Sequence, residues 1–199
     1  MPDAEPLTPF LSVLRDLVAW LQAERVPGML IGGIAASLLG RPRVTRDVDA
    51  VVILDEASWD GFLAAGSRHG FVPRRPDCLE FAQRSRVLLA RHVPSDIEVD
   101  VVFGSLPFEV EAIKRAVCED VAGVRVPVPT PEDLIIMKAL AHRPRDLIDI
   151  EGILNANPKL DRRRVRASVR SISTALEMPE ILDDLETLLA RRPRRSKKS

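Results

Sequence analysis

The chain has 199 residues, 46% of them apolar and 29% charged, enough for one packed domain with a small appendage and too apolar for wholesale disorder. Its 29 basic and 29 acidic side chains cancel, but the last nine residues, RRPRRSKKS, hold six of the basic ones. Residues 1–190 therefore set 23 basic against 29 acidic groups, a net −6, which excludes a uniformly basic coat for nucleic acid.

The two cysteines, Cys78 and Cys118, lie far apart with no metal-ligand spacing, which argues against a disulfide scaffold or a structural zinc and suits a reducing cytoplasm. The opening MPDAEPLTPF carries acids and prolines instead of a signal-peptide pattern. The longest apolar stretch, Met29 to Gly40, is too short and glycine-broken to span a bilayer. With no tyrosine and 4% aromatic residues, a base-stacking surface is poorly supported.

Thr8-Pro9 reads as a helix start, and Phe10, Leu14, Leu17 and Leu21, with Leu11 and Val18, fall on one helical face. Pro27-Gly28 ends that helix. Met29 to Ile31 is a short buried strand, followed by Gly32-Gly33 and a small-residue helix to about Leu39. A basic connector, Gly40 to Arg46, enters an apolar strand at Asp47 to Leu54. Ala57 to Arg68 is helical, with short strands near Phe71 to Pro73, at Phe81 and from Val87 to Val93.

Ile97 to Phe103 is the second strong strand and Val124 to Val128 a weaker one. Thr130-Pro131-Glu132-Asp133 opens a helix, with threonine as the cap and acids in the first turn. Three further helices follow at about Arg145–Leu154, Asp161–Ser173 and Pro179–Ala190. The order describes an α/β (α+β) body, a mixed sheet flanked by helices, with a helical C-terminal part. The expected organisation is a domain over 1–156, C-terminal helices over 157–190 and a basic, disordered tail over 191–199.

The stretch GGIAASLLGRPRVTRDVDAVV, residues 32–52, carries the most chemistry. Asp47 and Asp49 stand two apart on a strand, so both carboxylates leave the same face. Like charges beside a buried apolar run call for a neighbouring cation, and a hard divalent ion such as Mg²⁺ meets that need with oxygen ligands. In IEVDVV, residues 97–102, Glu98 and Asp100 also share a face. Pairing of the two strands would bring three or four carboxylates together, as a two-metal transfer site requires. Geometry alone leaves Glu98 and Asp100 equal candidates.

Gly32 and Gly33, between a strand and a helix, would let phosphate approach backbone N–H groups. Neither a Walker A loop nor GxGxxG is present, and no GxSxG supports acyl transfer. Arg41, Arg43 and Arg46 read either as a phosphate clamp or as a solvated loop. Lys138, with Asp146 and Asp149 downstream, reads either as a catalytic lysine or as part of a salt-bridge network. Arg162, Arg163, Arg164, Arg166 and Arg170 form either an RNA track or a solvated face. His69 and His92 have no partner at ligand or triad spacing and are read as incidental.

Gly-Gly, a short helix, Thr45-Arg46-Asp47-Val48-Asp49 and a later strand with Asp100 resemble the nucleotidyltransferase superfamily that shares the DNA polymerase β palm. They are most similar to the AbiEii-like, or minimal, nucleotidyltransferases, several of them toxins of toxin–antitoxin pairs. Pro129 to Leu134 leading to Lys138, Arg143, Arg145, Asp146 and Asp149 is similar to the family's downstream motif, and the resemblance covers roughly residues 25–155.

It implies that Asp47, Asp49 and Asp100 hold two Mg²⁺ ions, that Gly32 and Gly33 bracket the triphosphate with Arg46 nearby, and that Lys138 contacts phosphate. An NTP would give its NMP to an acceptor hydroxyl, by analogy that of a tRNA, and an antitoxin protein would be the partner. One departure is that Ile34 follows Gly33 where many relatives carry serine. It motivates an alternative, a binding or regulatory module without turnover; an antibiotic-modifying enzyme would share the chemistry and differ in acceptor.

Overall fold

The computed structural model describes residues 9–191 and divides into two compact units. Residues up to Ala35 with Arg43–Pro129 make the first, and Ala36–Pro42 with residues from Thr130 on make the second.

The first unit is built on a five-stranded mixed sheet. Its strands are β1 (Gly28–Leu30), β2 (Asp47–Val52), β3 (Phe71–Pro73), β4 (Val87–His92) and β5 (Ile97–Phe103), in the order β1-β2-β5-β4-β3. Only β2 and β5 run parallel; the other pairs are antiparallel. A two-stranded ribbon, β6 (Val117–Val121) and β7 (Val124–Val128), completes the strands. The helices of this unit are α1 (Leu11–Ala23), α3 (Trp59–Gly66), α4 (Cys78–Ser85) and α5 (Pro107–Lys114), while α2 (Gly32–Leu39) begins here and passes into the second unit.

Alternation along the strands sorts the sheet into two faces. Val48, Ala50, Val52, Val99, Val101, Phe103, Leu88 and Ala90 are buried on one of them. Aromatic rings fill the space above: Trp20 of α1 stacks on Phe62 at 4.1 Å and on Phe71 at 5.0 Å, and Trp59 of α3 on Phe103 at 3.9 Å. Each such pair adds about 0.5–1.5 kcal/mol beyond its buried area. Both indole N–H groups donate to carbonyls, Trp20 to Phe62 and Trp59 to Leu54, so neither nitrogen is stranded. The other face carries Asp47, Asp49, Glu98 and Asp100.

The expected strands at β1, β2, β3, β4, β5 and β7 are present, with ends shifted by up to two residues. Phe81 is a correction: it lies in α4, not in a strand, because Cys78 and Ala82 are the buried positions and their spacing is helical. Helix α5 and strand β6 had not been anticipated. Thr8 lies outside the described residues, as does the tail beyond Arg191. On α1, Val13 and Trp20 join Leu14, Leu17 and Leu21 in the core, whereas Leu11 and Val18 are only half-buried.

The second unit is helical: α6 (Pro131–Ala141), α7 (Pro144–Ala156), α8 (Arg162–Leu176) and α9 (Pro179–Ala190). Its core gathers Leu134, Ile135, Ile150, Ile153, Val165, Val169, Ile181 and Leu185 at helical spacings. Thr130 caps α6 as expected, accepting from the Asp133 N–H at 3.2 Å while its hydroxyl donates to the Asp133 carboxylate at 2.9 Å. The Asp133 carboxylate also takes Arg164 of α8.

Candidate active site

Strands β2 and β5 pair in the register Asp47↔Glu98 and Asp49↔Asp100. Four carboxylates thus leave one face in two neighbouring rows, as alternation in each strand had implied. The rows continue across the sheet, because Leu89 lies opposite Asp100 and Arg91 opposite Glu98.

The two glycines build the wall beside β2. The Ile31 N–H donates to the Asp49 carbonyl at 2.9 Å, which carries the β1 chain past Asp49 and into the turn opening α2. Gly32 has φ +63°, in the left-handed region, and a Cβ there would stand 1.9 Å from Asp49 Oδ2. Only a residue without a side chain fits against that carboxylate. A Cβ at Gly33 would meet Thr45 Oγ1 at 2.6 Å, and the Thr45 hydroxyl donates to Asp47 Oδ1 at 3.0 Å. Each glycine therefore backs one aspartate, Gly32 directly and Gly33 through Thr45. Ile34 is buried and brings no hydroxyl to the start of α2.

The outer carboxylates meet an arginine that sequence reasoning had not singled out. Arg74 follows β3, and its N–H donates to the Leu89 carbonyl at 2.9 Å, in the row of Asp100. Its guanidinium forks between two acids, Nη1 to Glu98 and Nη2 to Asp100. Its Nε is buried with no hydrogen-bond partner. Burial pushes the Asp100 carboxyl above its ordinary value; Arg74 pulls it down, and the neighbouring Asp47 and Glu98 charges push it up again.

An all-oxygen set of carboxylates on one face, with a guanidinium drawn onto it, has the donor chemistry and charge that a hard divalent cation requires. Among the described residues, no three His, Cys, Asp or Glu side chains are already gathered around one point as metal ligands.

Residues 14–197 match the family model described as "Nucleotidyl transferase AbiEii toxin, Type IV TA system". The chain belongs to the AbiEii nucleotidyltransferase toxin family. It is accordingly a nucleotidyltransferase, and the mixed sheet is the fold expected of one. No curated protein matches this AbiEii chain significantly.

Solved structures share its fold at low identity. The solution structure of the antibiotic-resistance factor ANT(2'')-Ia is 19% identical, with a TM-score of 0.57, covering 86% of this chain and 97% of that one. A crystal structure of the same factor with adenylyl-2''-tobramycin is 16% identical over 92% and 99%, TM-score 0.50. An antigenic nucleotidyltransferase-like protein from Paracoccidioides brasiliensis is 15% identical over 88% and 92%, TM-score 0.51.

In the second unit of this AbiEii protein, Lys138 is buried and its Nζ lies 3.0 Å from Asp146 and 2.7 Å from Asp149. Asp146 also accepts the Arg143 N–H at 3.3 Å, at the start of α7. The cluster ties α6 to α7. Three of the α8 arginines are engaged at home: Arg162 with the Leu189 carbonyl at 2.9 Å, Arg164 with Asp133, and Arg166 with Glu186 at 2.6 Å.

His92 is another correction. It is fully buried, with Nε2 at 2.9 Å from Asp16 and Nδ1 at 2.7 Å from Ser95, so it pins α1 to the β4 hairpin. Its inward side of β4, shared with Leu88 and Ala90, was the signal in the sequence. No helix among the described residues is long and apolar enough to cross a membrane.

Proposed function

We propose that this chain moves a nucleoside monophosphate from an NTP to an acceptor hydroxyl, with Asp47, Asp49 and Asp100 as the metal-holding carboxylates. The observation that carries this reading is the register Asp49↔Asp100 with Gly32 pressed against Asp49. Bound Mg²⁺, two ions by the family resemblance, would neutralise the triphosphate and polarise the phosphorus under attack.

Gly32 and Gly33 leave the start of α2 open to a phosphate, and Arg46 adds a forked donor from the connector. Thr45 and the two glycines hold the carboxylates of β2 in place. The acceptor oxygen forms a bond to the α-phosphorus as the bond to the bridging oxygen breaks, and pyrophosphate leaves with that electron pair. The hydroxyl proton passes to a carboxylate oxygen of Asp100 as the general base. The acceptor in this reading is the end of a tRNA, and the activity is that of the toxin of a cytoplasmic toxin–antitoxin pair with an antitoxin protein as partner.

The test is incubation with each α-labelled NTP and Mg²⁺ in the presence of total RNA, protein and metabolites. Label in the tRNA fraction is the expected result. Label on an aminoglycoside alone would replace the acceptor, and tight NTP binding without pyrophosphate release would replace the enzyme with a binding module.

A further inference from the structure

Arg74 places a guanidinium on the acidic face, and nothing in the transfer chemistry above uses it. It arrives from the far side of the sheet. The antiparallel pairing Pro73↔Ala90 and Leu89↔Asp100 puts Arg74, Leu89, Asp100 and Asp49 in one row across β3, β4, β5 and β2. Alternation then directs the Arg74 side chain to the face that carries the carboxylates.

Its fork spans Glu98 and Asp100, one step apart on that face of β5, and its side chain is only 22% exposed. The arrangement is not relaxed throughout, because the Nε–H is buried and donates to nothing. An unmade hydrogen bond of that kind opposes the pose, and the two carboxylates are what hold it.

We propose that Arg74 is an internal cation that engages Asp100 in the metal-free protein and competes with a divalent ion for it, so that it sets the metal affinity of the site. This inference rests on the assignment of Asp47, Asp49 and Asp100 as metal-holding residues. Arg74 holds one oxygen of Asp100, Oδ1, so an ion that draws on that oxygen, or on both as a bidentate ligand, meets the guanidinium as a competitor for the same negative charge. Removing Arg74 frees the carboxylate beforehand, and the ion then binds without a competitor. Glu98, released at the same time, lies in the neighbouring row opposite Asp47, with 57% of its side chain accessible.

The test is Mn²⁺ binding to the full chain without nucleotide, followed by the free-Mn²⁺ electron paramagnetic resonance signal and by calorimetry. Wild type, Arg74→Ala, Arg74→Lys, Arg75→Ala and Asp49→Asn are compared. Arg75 pairs with Asp77 and touches neither acid of β5, so its removal is the control for an equal loss of charge.

The expected result is tightening by about fivefold or more in Arg74→Ala, a smaller tightening in Arg74→Lys, and no comparable change in Arg75→Ala. Arg74→Lys keeps a cation and the stem, so it reports even where Arg74→Ala does not fold. Unchanged or weaker binding in both Arg74 variants, with wild-type binding lost in Asp49→Asn, overturns the role of Arg74 and leaves the metal site standing. Equal tightening in the Arg75 control overturns it too. Binding that survives in Asp49→Asn, or is missing from every variant, overturns the metal site itself and this inference with it.

Discussion

Gly32→Ala is the substitution whose effect follows most directly from the geometry. Two penalties combine. The backbone at φ +63° suits glycine, and an L-residue there costs roughly 1–2 kcal/mol. The added methyl would sit 1.9 Å from Asp49 Oδ2, where an ordinary contact is 3.4 Å, so the carboxylate must retreat by about 1.5 Å. Overpacking of that kind costs about 1–3 kcal/mol, giving a total of about 2–5 kcal/mol. A shift of about 1 Å in a reacting group lowers a rate about 100-fold.

Gly123→Ala is the internal standard, since Gly123 has φ +87° with nothing within 4 Å of its would-be Cβ. Urea unfolding of both variants isolates the collision from the backbone term. Pyrophosphate release measures the displacement of Asp49. A Gly32→Ala protein no less stable than Gly123→Ala, with wild-type turnover, would refute the packing of Gly32 on the carboxylate.

Two further outcomes follow from the charges. Asp100 titrates above its ordinary value in the folded chain, so its contribution to stability is full below about pH 3.9 and is lost as pH rises through the folded value. Asp100→Asn should flatten that fall in urea midpoints of the metal-free protein, and a difference from wild type that stays constant across the window would contradict it. Lys138→Met strands two buried carboxylates and should cost about 3–5 kcal/mol, with much of it returned by adding Asp146→Asn and Asp149→Asn. A fully stable Lys138→Met protein that has lost transfer would instead place Lys138 at the nucleotide.

The parts of this molecule that were legible in the sequence are those written in short-range alternation. Asp47 and Asp49 flank buried Val48, Glu98 and Asp100 flank buried Val99, and Thr130-Pro131 announces α6; each is a local pattern that tertiary packing preserves. Phe81 misled because a single aromatic among polar residues has no period, and the eight-residue α4 buries only Cys78 and Ala82. Strand β6 exposes most of its side chains and so shows no alternation. Arg74 was invisible for another reason. Its place beside Asp100 depends on β4 lying between β3 and β5, a long-range order that no window of sequence encodes. His92 could have been found, since it continues the inward side of β4 after Leu88 and Ala90.

The most direct test of the chemistry assigned to the acidic face is nucleotide transfer by Asp49→Asn, measured as α-label on the acceptor and as pyrophosphate, with circular dichroism and urea unfolding run on the same sample. The expected result is a folded protein with no transfer at any Mg²⁺ concentration. Full activity in that variant would contradict a site built on the carboxylates of β2 and β5.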